Sequence, residues 1–84
     1  MPEICRFNGI RITMNFADHA PPHIHAEYAG HNATYDLSGN SIGAQPLPKR
    51  QHTMVVRWIS RRRDELHHAW LAASNYSNPG MIEP

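Results

Sequence analysis

The sequence predicts an α+β fold: an antiparallel β-meander of four to five strands over residues 3–45, followed by a C-terminal helix or broken helix over about 48–74 packed on one face. Apolar residues alternate with polar ones before residue 45, and the apolar period changes to 3.6 from Lys49 onward. The dipeptide Asn8-Gly9 adds a hairpin signal. Because all the strands precede the helical segment, the order is typical of α+β folds.

The first two strands form a predicted hairpin over residues 3–16. A short apolar run from Ile4 to Phe7 leads into Asn8-Gly9, and both turn positions tolerate the positive φ of a two-residue turn. Beyond the turn, alternating positions are apolar: Ile10, Ile12, Met14 and Phe16. This alternation is typical of a strand with one buried face and one exposed face.

The third strand is predicted over residues 24–29, after a segment that the prolines exclude from regular sheet. By parity, the third strand separates two faces, one with His23, His25 and Glu27 and the other with Ile24, Ala26 and Tyr28. Since the second set is more apolar, we expect the histidines to face away from the helix.

Two further strands complete the predicted sheet. We expect a turn at 30–32, a fourth strand over 33–37, a turn at 38–40 and a short edge strand over 41–45. Pro46 and Pro48 then end the sheet, and Pro48 suits the first helical position, where a missing N–H is no loss.

The helical segment has an apolar stripe, interrupted at Arg62, that predicts the face covering the sheet. Its members are Met54, Val55, Trp58, Ile59, Leu66, Ala69, Trp70 and Ala73. One helix over 49–73 would be about 37 Å long, which is long for this domain. We therefore expect a break within residues 60–64, a second half that begins at Asp64-Glu65, a single domain over 1–74 and a loose tail over 75–84.

Composition restricts the classes of function. The chain has 84 residues, 40% hydrophobic and 18% charged, which indicates one globular domain. A net charge of +1 is too balanced to indicate nucleic-acid binding on charge alone. With one cysteine, Cys5, no intramolecular disulfide can form, and no apolar run reaches the roughly 18 residues of a membrane span. We expect a cytoplasmic protein that contacts no membrane and needs no cofactor.

The chemistry is concentrated in residues 18–25, which read Asp-His-Ala-Pro-Pro-His-Ile-His. Three of the seven histidines and an aspartate lie within these eight positions. Histidine titrates closest to neutral pH, and consecutive prolines stiffen the connection. The segment is therefore predicted to hold imidazoles at one end of the sheet.

Residues 18–28, Asp-His-Ala-Pro-Pro-His-Ile-His-Ala-Glu-Tyr, resemble the signature of the bacterial domain-of-unknown-function family 4160. The resemblance extends to the opening residues 1–14, to Leu47-Pro-Lys-Arg50, to Trp58, and to Asp64-Glu-Leu66 with Trp70, so that it covers residues 1 to about 73. The signature carries onto Asp18, His19, Pro21, Pro22, His23, His25 and Glu27.

The resemblance implies a biological setting but no agreed reaction. Genes of this family often lie beside a gene for a small partner, in pairs that resemble type II toxin–antitoxin modules. By resemblance, the chain would be a cytoplasmic toxin neutralised by a cognate small antitoxin protein.

One interpretation of the residues is a metal-independent ribonuclease that uses His19, His23 and His25. Two imidazoles could take the 2′-hydroxyl proton and protonate the leaving oxygen. His23 and His25 would lie roughly 6.5–7 Å apart along one strand face, which is enough to bracket a phosphodiester. Arg6, Arg11 or Arg50 could supply a cation for the phosphorane, with Asp18 and Glu27 as supporting carboxylates.

Three other interpretations remain open from the sequence. The same segment could bind a metal through His19, His23, His25 and Asp18, with Glu27 as a further carboxylate. It could be structural, with imidazoles donating to carbonyls that the prolines leave unpaired. The chain could also be a binding module, acting without turnover on its partner or another target.

Overall fold

The computed structural model describes residues 2–43 and 45–84 and confirms the predicted α+β meander. A five-stranded antiparallel sheet has the order β1-β2-β3-β4-β5, with β1 Glu3–Phe7, β2 Ile10–Thr13, β3 His23–Tyr28, β4 His31–Asp36 and β5 Ser41–Ile42. Two helices follow, α1 Lys49–Arg61 and α2 Arg63–Ser74. Two predicted positions lie outside the described residues: residue 44 of the fifth strand and residue 1 of the resembling segment.

Two-residue turns set the register of both major hairpins. Asn8 and Gly9 have φ of 49° and 78°, as the Asn-Gly signal predicts. Ala29 and Gly30 form the second turn with φ of 47° and 83°, so that Tyr28 pairs with His31. The predicted turn at 30–32 is therefore wrong in position. Left-handed geometry at Ala29 costs roughly 1 kcal/mol, and the shorter turn keeps residues 31 and 32 in the ladder.

The sheet has one core face and one open face. Cross-strand pairs Ile12–Ala26 and Ile24–Tyr35 lie on the core face, and all four side chains are buried. The alternate positions, among them Arg11, Thr13, His25, Glu27 and Thr34, share the other face through the pairs Arg11–Glu27, Thr13–His25 and His25–Thr34. As predicted by parity, His25 and Glu27 lie opposite the core.

Helix α1 covers the core face. Its buried residues are Val55, Trp58 and Ile59, and the ring of Trp58 lies 5.7 Å from that of Phe7, centroid to centroid. Pro48 precedes the helix as its N-cap rather than being its first residue. Its carbonyl accepts a hydrogen bond from the backbone N–H of His52 (2.8 Å).

A buried hydroxyl joins the start of α1 to the sheet. Tyr35 is fully buried, and burial raises the pKa of its phenol. Its hydroxyl oxygen accepts from the backbone N–H of Leu47 (3.1 Å) and lies 2.8 Å from His52 Nδ1. The hydroxyl therefore has partners on both sides, as a buried polar group requires.

The predicted helix break occurs at Arg62, where φ is −114° and ψ is 21°. Arg62 N–H donates to Trp58 O and Arg62 O accepts from Leu66 N–H, both at 2.9 Å, so that hydrogen bonding continues through the break. Helix α2 begins at Arg63, one residue before the predicted acidic pair.

The break sends α2 across one end of the sheet. Near its start, Arg63 Nε donates to Leu37 O (2.9 Å), beyond the end of β4. Near its end, Ala73 O accepts from the backbone N–H of Ala17 (2.9 Å), beyond the end of β2. Since β3 begins between these two strand ends, α2 passes over the start of β3.

Residues 75–84 contain no helix or strand, but the last three are attached to the domain. Ile82 is only 7% exposed, and its backbone N–H donates to Ile4 O in β1 (2.6 Å). Trp58 Nε1–H donates to Glu83 O (2.8 Å). The expectation of a loose tail is therefore wrong for residues 82–84, because an apolar side chain and two hydrogen bonds hold them on β1 and α1.

Neither described helix combines the length and apolar character needed to cross a membrane.

We predict that Ile82→Ala lowers the free energy of unfolding by about 2 kcal/mol, because it removes a buried side chain that packs on the core. Met81→Ala is the matched control: the Met81 side chain is exposed, and its loss should change stability by less than about 0.5 kcal/mol. Urea unfolding of the two variants checks this. Equal stability of both variants would contradict the docking of residue 82.

Asp36 provides a prediction of pH dependence. Burial alone would raise its pKa, but the backbone N–H groups of Asn40 and Ser38 donate to its carboxylate and lower the pKa below the usual value. Because the folded-state pKa is the lower one, the ionised form adds stability above the unfolded pKa, and this is lost as pH falls through the folded pKa. We predict that Asp36→Asn is less stable than wild type at pH 7, by up to about 1 kcal/mol. The difference should disappear once the pH has fallen through the folded-state pKa of Asp36, as urea unfolding at pH 7 and over an acid series would show.

Candidate functional site

The candidate site lies at the end of the sheet that α2 crosses, where the connection from β2 folds back to begin β3. Ala17 has a left-handed φ of 47°, and the Ala20–Pro21 peptide bond is cis. This path places Asp18 against the first residues of β3. The structure thereby brings together the predicted residues Asp18, His19, His23 and His25, referred to below as the histidine cluster.

The carboxylate of Asp18 is the centre of the histidine cluster. Its Oδ1 accepts from the backbone N–H of His19 (2.8 Å), and its Oδ2 accepts from Asn15 Nδ2 (3.1 Å) and faces His23 Nε2 (2.9 Å). Burial alone would raise the pKa of Asp18, but these hydrogen bonds outweigh burial and lower the pKa to about 2. Asp18 is therefore an anion throughout the physiological range.

His23 is the buried member of the cluster, with only 3% of the side chain exposed. Its Nδ1 lies 2.7 Å from Pro21 O, and its Nε2 lies 2.9 Å from Asp18 Oδ2. The imidazole also packs against the Trp70 ring of α2, at 5.2 Å between centroids. The prediction that both histidines face away from the helix is thus wrong for His23, because α2 passes over the strand end where this residue lies.

His19 and His25 are the accessible members. His25 is 33% exposed and its Nε2 lies 3.7 Å from Asp18 Oδ2. His19 is 84% exposed and its Nε2 lies 3.6 Å from Asp18 Oδ1. One accessible imidazole therefore stands beside each oxygen of a single carboxylate.

Two cavities meet at His25. The first has a volume of about 380 Å³ and is lined by Asn15, Asp18, His19, His23, His25, Thr34, Ile42 and Gly43. The second, of about 170 Å³, is lined by Arg11, Thr13, His25, Ala26, Glu27, Asn32, Ala33 and Thr34. His25 and Thr34 belong to both linings. The predicted supporting residues Glu27 and Arg11 therefore lie next to the cluster, not within it.

The three arginines predicted to supply a cation lie in two separate places. Glu3 Oε1 accepts from Arg6 Nη2 (2.7 Å) and Arg11 Nε (3.0 Å), so that both arginines share one carboxylate. The hydrogen bonds from Arg6 and Arg11 lower the pKa of Glu3 against a smaller opposing effect of burial. Arg50 lies on α1 and lines a separate cavity with Lys49, Thr53, Met54 and Arg57. The structure thus separates Arg50 from the cluster.

Sequence reasoning missed three residues of the site. Asn15 hydrogen-bonds Asp18 and lies 3.4 Å from His25 Nε2; Thr34 pairs with His25 across the strands; and Trp70 covers His23. A two-residue turn at 29–30 would have placed Thr34 opposite His25. The helical period placed Trp70 on the apolar stripe, but no local signal indicated its contact with His23 or the contact of Asn15 with Asp18, because both depend on how the loop and α2 pack.

We predict that Asp18→Asn lowers the free energy of unfolding at pH 7 by roughly 1–3 kcal/mol, because it removes the charged acceptor beside a buried imidazole. Glu27→Gln neutralises an exposed carboxylate on the same face of the sheet, and it should change stability by less than about 0.5 kcal/mol. Urea unfolding measures both variants. Equal effects would mean that the Asp18–His23 contact adds no stability.

Comparisons with known proteins identify a family and nothing finer. No curated protein and no solved structure matches the chain. The family described as Domain of unknown function (DUF4160) matches residues 9–71. This region contains strands β2 to β5, helix α1 and all of the histidine cluster. Since this match spans most of the 84 residues, the chain belongs to the DUF4160 family.

Proposed function

We propose that the chain is the toxin of a type II toxin–antitoxin pair and that it cleaves RNA by acid–base chemistry at the histidine cluster, without a metal. One observation carries the proposed reaction: two accessible imidazoles, His19 and His25, stand on either side of one ionised carboxylate in an open cavity. The toxin setting rests on the resemblance in sequence. The reaction rests on the geometry.

The roles follow from exposure. RNA cleavage through the 2′-hydroxyl needs one group that removes a proton and one that protonates the leaving oxygen. His19 and His25 can reach a substrate in the cavity, and the Asp18 carboxylate between them orients and supports whichever ring is charged. His23 is buried, and its ring nitrogens lie 2.7 Å from Pro21 O and 2.9 Å from Asp18 Oδ2, so it acts as a positioning residue and not as a proton carrier.

The adjoining cavity supplies a candidate cation. Arg11 lines it beside His25, and its guanidinium can contact a phosphate. Arg6 and Arg11 share the carboxylate of Glu3, and Glu27 lines the same cavity as Arg11, so that Arg11 would act through its forked N–H donors and not through an excess of positive charge. A phosphodiester across His25 would therefore meet imidazoles on one side and Arg11 on the other.

A second candidate is a non-enzymatic module that binds its cognate antitoxin or another protein. Among the residues that the structure describes, the exposed large apolar side chains are Phe16, Leu71, Tyr76 and Met81. Exposed aromatic and apolar side chains are typical of protein-contact surfaces. Phe16 is two residues from Asp18, so a partner bound there would also cover the cluster.

The test is expression of the chain alone and together with the product of the neighbouring gene, followed by incubation of purified protein with labelled RNA. We predict growth arrest and RNA cleavage by wild type. His19→Ala and His25→Ala should each reduce cleavage by about 10²–10⁴-fold, the usual contribution of general acid–base catalysis. His31→Ala and His67→Ala replace exposed histidines outside the cluster and should cleave as wild type does.

Two outcomes would decide against the reaction. Intact RNA with folded wild-type protein would exclude this activity. Growth arrest that persists in the His19→Ala/His25→Ala double variant, and is relieved by the partner, would support the binding module.

A further inference from the structure

We propose that Asp18, His23 and His25 form a binding site for one divalent first-row transition-metal ion, of the Zn²⁺ or Co²⁺ class. The carboxylate oxygen and the two ring nitrogens lie within 4.8 Å of one another. This inference goes beyond the proposed reaction and does not depend on it.

The spacing of the three donors suits a single ion. At metal–ligand distances of about 2.0–2.2 Å, neighbouring ligand atoms of a tetrahedral site are separated by roughly 3.3–3.6 Å. Asp18 Oδ2 lies 2.9 Å from His23 Nε2 and 3.7 Å from His25 Nε2, and these distances bracket that interval. Small rotations of the side chains would bring all three atoms onto one ion.

The orientation of His23 is that of a metal ligand. Pro21 O can only accept, so Nδ1 of His23 carries the hydrogen that it donates at 2.7 Å. Metal-ligating histidines usually donate their other ring N–H to a carbonyl or carboxylate in this way. The carbonyl fixes the ring so that Nε2 faces Asp18, and the Trp70 ring packs against the imidazole.

The contact between His23 and Asp18 also calls for a cation. With its hydrogen on Nδ1, the neutral imidazole presents a lone pair at Nε2, and it faces a carboxylate oxygen 2.9 Å away. Two acceptors at this distance need a positive charge between them, either a second proton on the ring or a metal ion. A metal ion there would bind both lone pairs, and His25 supplies the third.

Access and donor type decide the class of ion. Because His25 is partly exposed and lines the 380 Å³ cavity, an ion there would keep open positions for water, as in catalytic and not structural sites. Two imidazole nitrogens among three donors favour Zn²⁺, Co²⁺ and their neighbours over Mg²⁺ and Ca²⁺, which prefer all-oxygen sites. His19 stays outside the set, since it is highly exposed and faces the other oxygen of Asp18.

The test is calorimetric titration of metal-free protein with Zn²⁺ near pH 7.5, together with visible spectroscopy of Co²⁺. We expect one ion per chain and no competition from Mg²⁺. His25→Ala and Asp18→Asn should weaken binding by at least about 100-fold, since loss of a second-shell partner alone costs 10–100-fold. His31→Ala and His67→Ala should bind as wild type does.

A measurement on the wild type avoids any question of folding. Substoichiometric Co²⁺ should broaden the ring resonances of His23 and His25 first and leave those of His31 and His67 sharp. Broadening centred on His67 and His68, unchanged affinity in folded His25→Ala, absence of saturable binding, or equal affinity for Mg²⁺ would each overturn the site.

Metal binding and RNA cleavage can fail separately in these experiments. An ion on His25 Nε2 occupies the lone pair that proton transfer would use, so Zn²⁺ should inhibit cleavage of the proposed kind. Metal binding without cleavage would support the site and remove the ribonuclease, whereas cleavage without metal binding would do the reverse.

Discussion

One buried imidazole, that of His23, has an oxygen atom at hydrogen-bond distance from each of its ring nitrogens, and the arrangement of the site depends on these two contacts. Burying a polar ring without partners costs on the order of 1–3 kcal/mol per unsatisfied group. The carbonyl of Pro21 and the carboxylate of Asp18 prevent that cost. Both oxygens belong to the short loop between β2 and β3. The path of this loop therefore determines whether the ring can be buried with its two partners. His19 and His25 then take their places around a carboxylate that His23 helps to hold.

The break in the helical segment makes this burial a property of the whole fold. An unbroken helix would extend past the sheet and leave the strand ends in solvent. With the break at Arg62, α2 turns over the end of the sheet, held by Arg63 on Leu37 O and by Ala17 on Ala73 O. Trp70 then reaches His23. The same arginine run that interrupts the apolar stripe therefore allows the second helix to cover the site.

The fold was predictable because its signals are local. Alternation, the Asn8-Gly9 turn and the change to a 3.6-residue period determine the strands, the first hairpin and the helices without reference to distant residues. The second turn was misplaced because Ala29 carries no side-chain preference for positive φ, and strand pairing across six residue pairs overrides this weak local term.

The sequence predicted which residues form the site better than it predicted how they are arranged. Density of titratable residues was enough to select Asp18, His19, His23 and His25, which the structure brings together. Parity placed His25 correctly and His23 incorrectly. Parity describes the two faces of a sheet, whereas His23 is the first residue of its strand and lies where a helix closes the end. Arg50 was predicted as a cation of the site, and it belongs to a segment of the resemblance. That segment lies on α1, away from the cluster.

The docking of Ile82 on β1 has a consequence for association between molecules. β1 and β5 are the two edge strands, and an unpaired edge is a template on which another strand can add and start aggregation. β5 has only two residues, which is too short to serve well as such a template. On β1, the hydrogen bond from Ile82 N–H occupies the carbonyl of Ile4. Both edges of the sheet therefore offer few free backbone groups to another strand, which disfavours edge-to-edge self-association.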